Sequence, residues 1–153
     1  MRVANDRLET VYRDEGPRLW RALLAYAADP DLASDALAEA FAQAIARGEA
    51  IRDPAAWVWR VAFRVAAGDL KERRRHEELV VEPSYELPES IAHVFEALRK
   101  LSPNQRLAVV LHDYADRTTD EIAAVLGSTR ATVHVHLSQG RRRLRRLLED
   151  DDG

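Results

Sequence analysis

Two stretches of this 153-residue sequence carry side chains with an evident chemical use. Between Arg60 and His76, the cations Arg60, Arg64, Lys71, Arg73, Arg74 and Arg75 meet only Asp69 and Glu72, a local charge of +4. Between Arg130 and Arg146 there are six arginines and no acid, a local charge of +6. The whole chain has a formal charge of −3, so the remainder carries −13. Two basic stretches on an acidic body predict two polyanion-binding surfaces and a remainder that repels nucleic acid.

Other chemistries lack their residues. The chain has no cysteine, which excludes disulfides, a thiolate zinc site and a Cys nucleophile. His134 and His136 invite a metal hypothesis, but on a helix residues two apart point about 200° from each other and cannot chelate one ion. His76, His93 and His112 are isolated in sequence. There is no phosphate-binding glycine loop and no Ser or Thr beside a His–acid pair. The sequence therefore predicts no enzyme, no cofactor and no metal. The N-terminal residues Met1 to Arg7 lack the apolar segment of a signal peptide. No apolar run approaches the ~20 residues needed to span a bilayer, so no membrane insertion and a cytoplasmic location are expected.

With 46% hydrophobic and 32% charged residues the chain has the composition of a folded globular protein. Its apolar residues recur with helical period and no strand alternation is present. Leu8, Val11, Tyr12, Leu19, Trp20, Leu23, Leu24 and Ala27 mark a first helical run, which Gly16-Pro17 is expected to kink or break. Asp29-Pro30-Asp31 opens a helix carrying Leu32, Ala36, Leu37, Ala40, Phe41, Ala44 and Ile45, ended by Arg47-Gly48. Asp53-Pro54 caps a third helix, with Trp57, Val58, Val61, Ala62 and Val65, that runs on into the first basic stretch.

Residues 77–88 hold four acids and two prolines without a helical stripe and read as a linker. The expected fold is all-α: two small helical domains, 1–76 and 89–153, joined by that acidic linker. In the second domain Ile91, Val94, Phe95, Leu98 and Leu101 form one helix. Ser102-Pro103-Asn104-Gln105 is a capping box for a helix through Leu107, Val110, Leu111 and Tyr114. Thr118-Thr119-Asp120-Glu121 is a second capping box. It opens a short helix that ends at Gly127, and a last helix carries Val133, Leu137, Leu144, Leu147 and Leu148. The acidic end, Glu149 to Asp152, is expected to fray.

A short capped helix, a glycine-containing turn and a longer helix make a helix-turn-helix. Small Ala123 permits close approach, while Ile122, Leu126, Val133 and Leu137 fill the space between the helices. The second helix of such a motif lies in the major groove. Its exposed candidates are Arg130, Thr132, His134, Val135, Ser138 and Gln139, with Thr119 at the start of the shorter helix. Arg141, Arg142, Arg143, Arg145 and Arg146 would add phosphate contacts.

Both halves resemble the sigma-70 family, and within it the short extracytoplasmic-function (ECF) sigma factors, from about Leu8 to Leu148. The stretches that carry the resemblance are Asp31 to Phe41, Asp53 to Ala62, Thr119 to Gly127, Arg130 to Val133 and Gly140 to Leu144. It implies a DNA-binding initiation subunit of RNA polymerase. The second helix would dock on the clamp helices of the polymerase's largest subunit through Asp35, Glu39, Phe41 and Gln43, with Phe41 and Ile45 partly core. The segment from Arg47 to Asp53 and the helix from Trp57 to Arg75 would open the −10 promoter element. There a flipped base needs an aromatic surface and a basic groove. Trp57, Trp59, Arg60, Arg64, Lys71, Arg73, Arg74 and Arg75 are the candidates, one of the two Trp being the expected core residue. The helix-turn-helix would bind the −35 element, the acidic linker would thread toward the polymerase active centre, and an anti-sigma factor is an implied partner.

The chain departs from the family pattern at Ala38, where Gln is usual, at Arg64, where Asn is frequent, and near His134 and His136, where Lys or Arg is usual. Two other readings compete: a stand-alone helix-turn-helix regulator that needs no polymerase, and a sigma-like decoy.

Overall fold

The order of local signals in the sequence is reproduced as a series of helices. The structure, a computed structural model, describes residues 2–75 and 88–152. It divides into two units, Met1–Val81 and Glu82–Gly153, and every element among the described residues is helical. The proposed linker 77–88 lies, apart from Pro88, outside the described residues.

The first unit contains α1 (Arg2–Ala27), α2 (Pro30–Arg47), a 3-10 turn (Gly48–Ala50) and α3 (Pro54–Arg75). Asp29 caps α2: its Oδ1 accepts from the N–H groups of Asp31 and Leu32 at 2.9 and 3.1 Å. Asp53 does the same for α3 through Ala56 N–H at 3.2 Å. These bonds satisfy donors that a helix start otherwise leaves orphaned. Ala33, Ala36, Ala40, Ala44, Ala62 and Ala66 are fully buried, so the three helices meet along small side chains. Larger ones fill the centre: Leu19, Leu23, Leu32, Val58, Trp59 and Phe63. Trp59 and Phe63 stack at 6.2 Å and 7°, and Tyr26 tilts against Phe63 at 5.6 Å.

Of the kink or break expected at Gly16-Pro17, the break does not occur. A single helix, α1, passes through Gly16-Pro17 with no break. Leu19, Ala22 and Leu23 beyond the proline and Leu8 before it are buried on one core-facing stripe, and that burial outweighs the hydrogen bond Pro17 cannot donate.

The second unit contains α4 (Glu89–Arg99), α5 (Pro103–Val109), a π-helical turn (Val110–Tyr114), α6 (Thr119–Leu126) and α7 (Arg130–Asp152). Both capping boxes are closed in both directions, Ser102 with Gln105 and Thr118 with Glu121. The helix opened by Ser102 reaches Tyr114 as expected, but its last five residues widen into the π turn. At the end of the chain α7 continues to Asp152. Extending a helix already formed over five turns costs little compared with starting one.

Gly140 marks the tightest approach in this unit. A Cβ there would stand 2.9 Å from Val109 Cγ2 and 3.3 Å from both Cβ and the backbone O of Gln105. α7 can therefore lie on α5 at this distance only with glycine.

Candidate nucleic-acid interface

In the first unit the functional candidates sort by helix face. Asp35 and Glu39 are exposed on α2 one turn apart, and Gln43 Nε2 donates to Glu39 Oε1 at 2.9 Å. Ala38 is exposed on the same helix. Phe41 is buried, its ring meeting Tyr12 edge-on at 5.1 Å. Ile45, expected as partly core, is instead 61% exposed. It lies one turn past Phe41, beyond the cover that Tyr12 provides.

The two tryptophans separate completely. Trp59 is 1% exposed and its Nε1 donates to Glu15 Oε2 at 3.0 Å. It is core, with no ring face to offer a base, and its place among the DNA candidates is withdrawn. Trp57 is half-buried and lines an open cleft of about 390 Å³ with Gln43, Arg47, Arg60, Val61, Arg64 and Val65. Positions 57, 60, 61, 64 and 65 recur at helical spacing, and Gln43 and Arg47 are one turn apart on α2. Arg47, Val61 and Val65 lay within the segments expected to open the −10 element but were not singled out as binding residues, although that spacing is visible in the sequence. The Nε of Arg60 is buried there without a hydrogen-bond partner among the described residues. The Trp57 indole and the guanidinium groups lining the cleft can together receive an electron-rich planar group or an anion.

Lys71, Arg74 and Arg75 are exposed at the end of α3, Arg75 facing Glu72 at 3.9 Å. Arg73 is engaged inside the unit, its Nη1 donating to Asp29 Oδ2 at 2.5 Å. Burial raises the Asp29 carboxyl's pKa, but the Arg73 hydrogen bond and the two backbone N–H bonds outweigh it and hold it below the ordinary value. Asp29 thus caps α2 with one oxygen and ties down α3 with the other.

In the second unit α6 and α7 build the helix-turn-helix. Gly127 closes α6 at φ 62, ψ 42, a left-handed position that favours glycine. Ile122, Ala123, Val133 and Leu137 are buried between the helices, with Leu126 half-buried. Arg130, His134, Val135, Ser138 and Gln139 are exposed, while Thr119 and Thr132 are half-buried. Thr132 is partly committed: its hydroxyl lies 3.0 Å from that of Thr129, which accepts the Thr132 N–H at 3.2 Å as the cap of α7. Gln139 approaches Gln105 at 3.4 Å. His136 is half-buried with its Nδ1 unpartnered among the described residues, whereas His134 is exposed, so the pair points apart.

His134, Leu137, Ser138, Arg141, Arg142 and Arg145 line an open groove of about 500 Å³. Arg141 is the exception in this row. Its Nε donates to Asp113 Oδ2 at 2.9 Å and its Nη2 to Asp113 Oδ1. The hydrogen bond from Arg141 outweighs burial and holds the Asp113 carboxyl below the ordinary range, and the same contact raises Arg141. Asp113 and Thr129 escaped the sequence reading; Thr129 is a Thr directly before a helix, a signal that could have been used.

A family model described as "Sigma-70, region 4" matches residues 94–144. The chain is 31% identical over 154 residues to the RNA polymerase sigma-E factor of Streptomyces antibioticus, covering 94% of this chain and 86% of that one. It is 30% identical to the RNA polymerase sigma-E factor of Streptomyces coelicolor, covering 92% and 85%. Among solved structures it is similar to the sigma factor RpoE of Bartonella quintana, determined in complex with the anti-sigma factor NepR. The TM-score is 0.81 at 20% identity, over 97% of this chain and 98% of that one. CnrH, in complex with the cytosolic domain of CnrY, matches with a TM-score of 0.73 at 22% identity, over 96% and 90%.

Proposed function

The chain belongs to the extracytoplasmic-function sigma factors of the sigma-70 family, and from that premise we propose how its residues divide the work of directing bacterial RNA polymerase to promoters. Residues 1–76 bind core polymerase and open the −10 element, 77–88 thread toward the active centre, and 89–153 bind the −35 element. The observation that carries this reading is the cleft between α2 and α3. It sets the Trp57 indole among Arg47, Arg60 and Arg64, a surface on which an unstacked base can lie while its phosphates meet guanidinium groups.

One and two turns before Gln43 on the same stripe of α2, Glu39 and Asp35 present carboxylates to basic residues of the polymerase clamp helices. Ala38 offers no hydrogen bond there, and Ile45 supplies apolar area in its neighbourhood. Lys71, Arg74 and Arg75 track the backbone of the melted strand. In the second unit Arg130, His134, Val135, Ser138 and Gln139 face base edges, with Arg142 among the phosphate contacts. The chain contributes no reacting group; the polymerase carries the chemistry, in the cytoplasm where promoter and polymerase meet. No helix among the described residues is long and apolar enough to cross a membrane. The complex of the structural relative RpoE with the anti-sigma factor NepR supports an inhibitor protein as a further partner.

Run-off transcription with bacterial core polymerase tests the reading. Wild-type protein is expected to yield promoter-specific transcripts and Asp35→Arg/Glu39→Arg to lose them. A chain that neither binds nor redirects core polymerase, yet holds a defined DNA site alone, would establish the stand-alone regulator instead.

A further inference from the structure

We propose that Asp113 converts Arg141 from a general phosphate binder into a directed one, by cancelling its charge and fixing the plane of its guanidinium. The inference rests on the reading of α7 as the DNA-facing helix. A guanidinium has five N–H donors. Asp113 takes the Nε–H and one Nη2–H, leaving the Nη1 edge for another acceptor, with the second Nη2 hydrogen beside His112 Nδ1. Bidentate engagement of this kind holds the fork in one orientation.

The neighbouring His112 adds one further bond, its Nδ1 either accepting from Arg141 or donating to Asp113 according to its tautomer. His112 Nδ1 lies 2.9 Å from Arg141 Nη2 and 3.0 Å from Asp113 Oδ1. Both residues come from the π-helical turn, twenty-eight or twenty-nine positions upstream of Arg141. π turns occur frequently at functional sites.

Charge cancellation has a measurable consequence. A cation that neutralises a phosphate releases condensed counterions, and each such contact adds about 0.9 to the slope of log affinity against log salt. An arginine already neutralised by a carboxylate adds little to that slope. It can still donate from its free edge, but only to a phosphate standing where the fixed plane points. A phosphate elsewhere meets the Asp113 charge as well. Asp113 is thus a positioning residue, favouring a duplex seated in register over one met at random.

The test measures binding of the full chain to a duplex without promoter sequence, over about 50 to 200 mM salt. Asp113→Asn is expected to bind more tightly at low salt and to steepen the slope by about 0.9, so that affinity falls about three- to fourfold more across that range. Asp113→Asn/Arg141→Gln, which removes a neutral pair, is expected to return the slope to the wild-type value. In holoenzyme both variants lose preference for promoter over random duplex. If Asp113→Asn is folded by circular dichroism but leaves the slope unchanged while Arg142→Gln lowers it, the proposal is overturned and the DNA reading of α7 stands. If Arg142→Gln and the Asp113 variants are all silent, that reading falls, and the proposal with it.

Discussion

Replacing Gly140 by alanine sets two effects of known sign against each other, and the structure decides between them. In a helix interior alanine is favoured over glycine by about 1 kcal/mol, because glycine loses more backbone freedom on folding. At Gly140 the new methyl group would meet Val109 Cγ2 at 2.9 Å and the Gln105 backbone O at 3.3 Å, where carbon contacts settle at about 3.5–4.0 Å. Val109 is β-branched, with one strongly preferred rotamer in a helix, and a backbone carbonyl cannot swing aside. Overpacking of this kind costs about 1–3 kcal/mol, so the net expectation is a loss near ~1 kcal/mol.

Gly68 provides the internal control. It is exposed in α3, and a Cβ there meets nothing within 4 Å, so Gly68→Ala should gain ~0.5–1 kcal/mol. All three tryptophans, Trp20, Trp57 and Trp59, lie in the first unit. In urea, fluorescence therefore follows that unit while far-ultraviolet circular dichroism follows both. Gly68→Ala should raise the fluorescence midpoint, and Gly140→Ala should lower the midpoint seen by circular dichroism. A Gly140→Ala protein as stable as wild type, or more so, would refute the close approach of α7 to α5.

The two tryptophans should part company on substitution. Trp59→Ala removes a fully buried ring and should cost about 3–5 kcal/mol in urea unfolding. Trp57→Ala should change stability far less yet reduce permanganate reactivity of thymines at the −10 element in holoenzyme; equal destabilisation with normal opening would contradict the assignment. Asp29 carries the acid sensitivity of the first unit. Its folded pKa is lowered, so its contribution is full above the ordinary carboxylate value of about 3.9 and fades as pH falls through the lowered one. The stability gap between wild type and Asp29→Asn should be constant near neutrality and shrink below about pH 4; a gap independent of pH would rule the pairing out.

What the sequence disclosed follows the range of the interaction. The ends of α2, the start of α3 and the α6 turn were legible because Asp29-Pro30, Gly48, Asp53-Pro54, Thr118 and Gly127 act within four residues of their own position. The divergence of His134 and His136 followed from helical geometry alone. The continuous α1 was not legible, since Gly16-Pro17 is a local signal overridden by burial of Leu19 and Leu23 against other helices. Periodicity allowed that one tryptophan was core without saying which; the answer depends on Glu15 and Phe63, and Glu15 is 44 residues away. The partners of Arg73 and Arg141, 44 and 28 residues distant, have no local signature.

Those distant partners change what the arginine runs mean. A charge of +6 between Arg130 and Arg146 suggests six equivalent phosphate contacts, but the acids that oppose them are of two kinds. Arg130 and Asp120 meet at 3.2 Å with side chains 67% and 72% exposed. Such a pair is worth about 0–1 kcal/mol and is readily exchanged for another partner. Arg75 and Glu72, similarly exposed, behave alike. Arg141 is held by two bonds to one carboxylate, and Arg73 by a carboxylate already fixed as a helix cap. Displacing either would leave an acid without its partner, a loss that any competing anion must first offset. The basic stretches therefore contain arginines open to any polyanion and arginines, Arg73 and Arg141, already committed to a fixed carboxylate, and it is the second kind that charge counting misassigns.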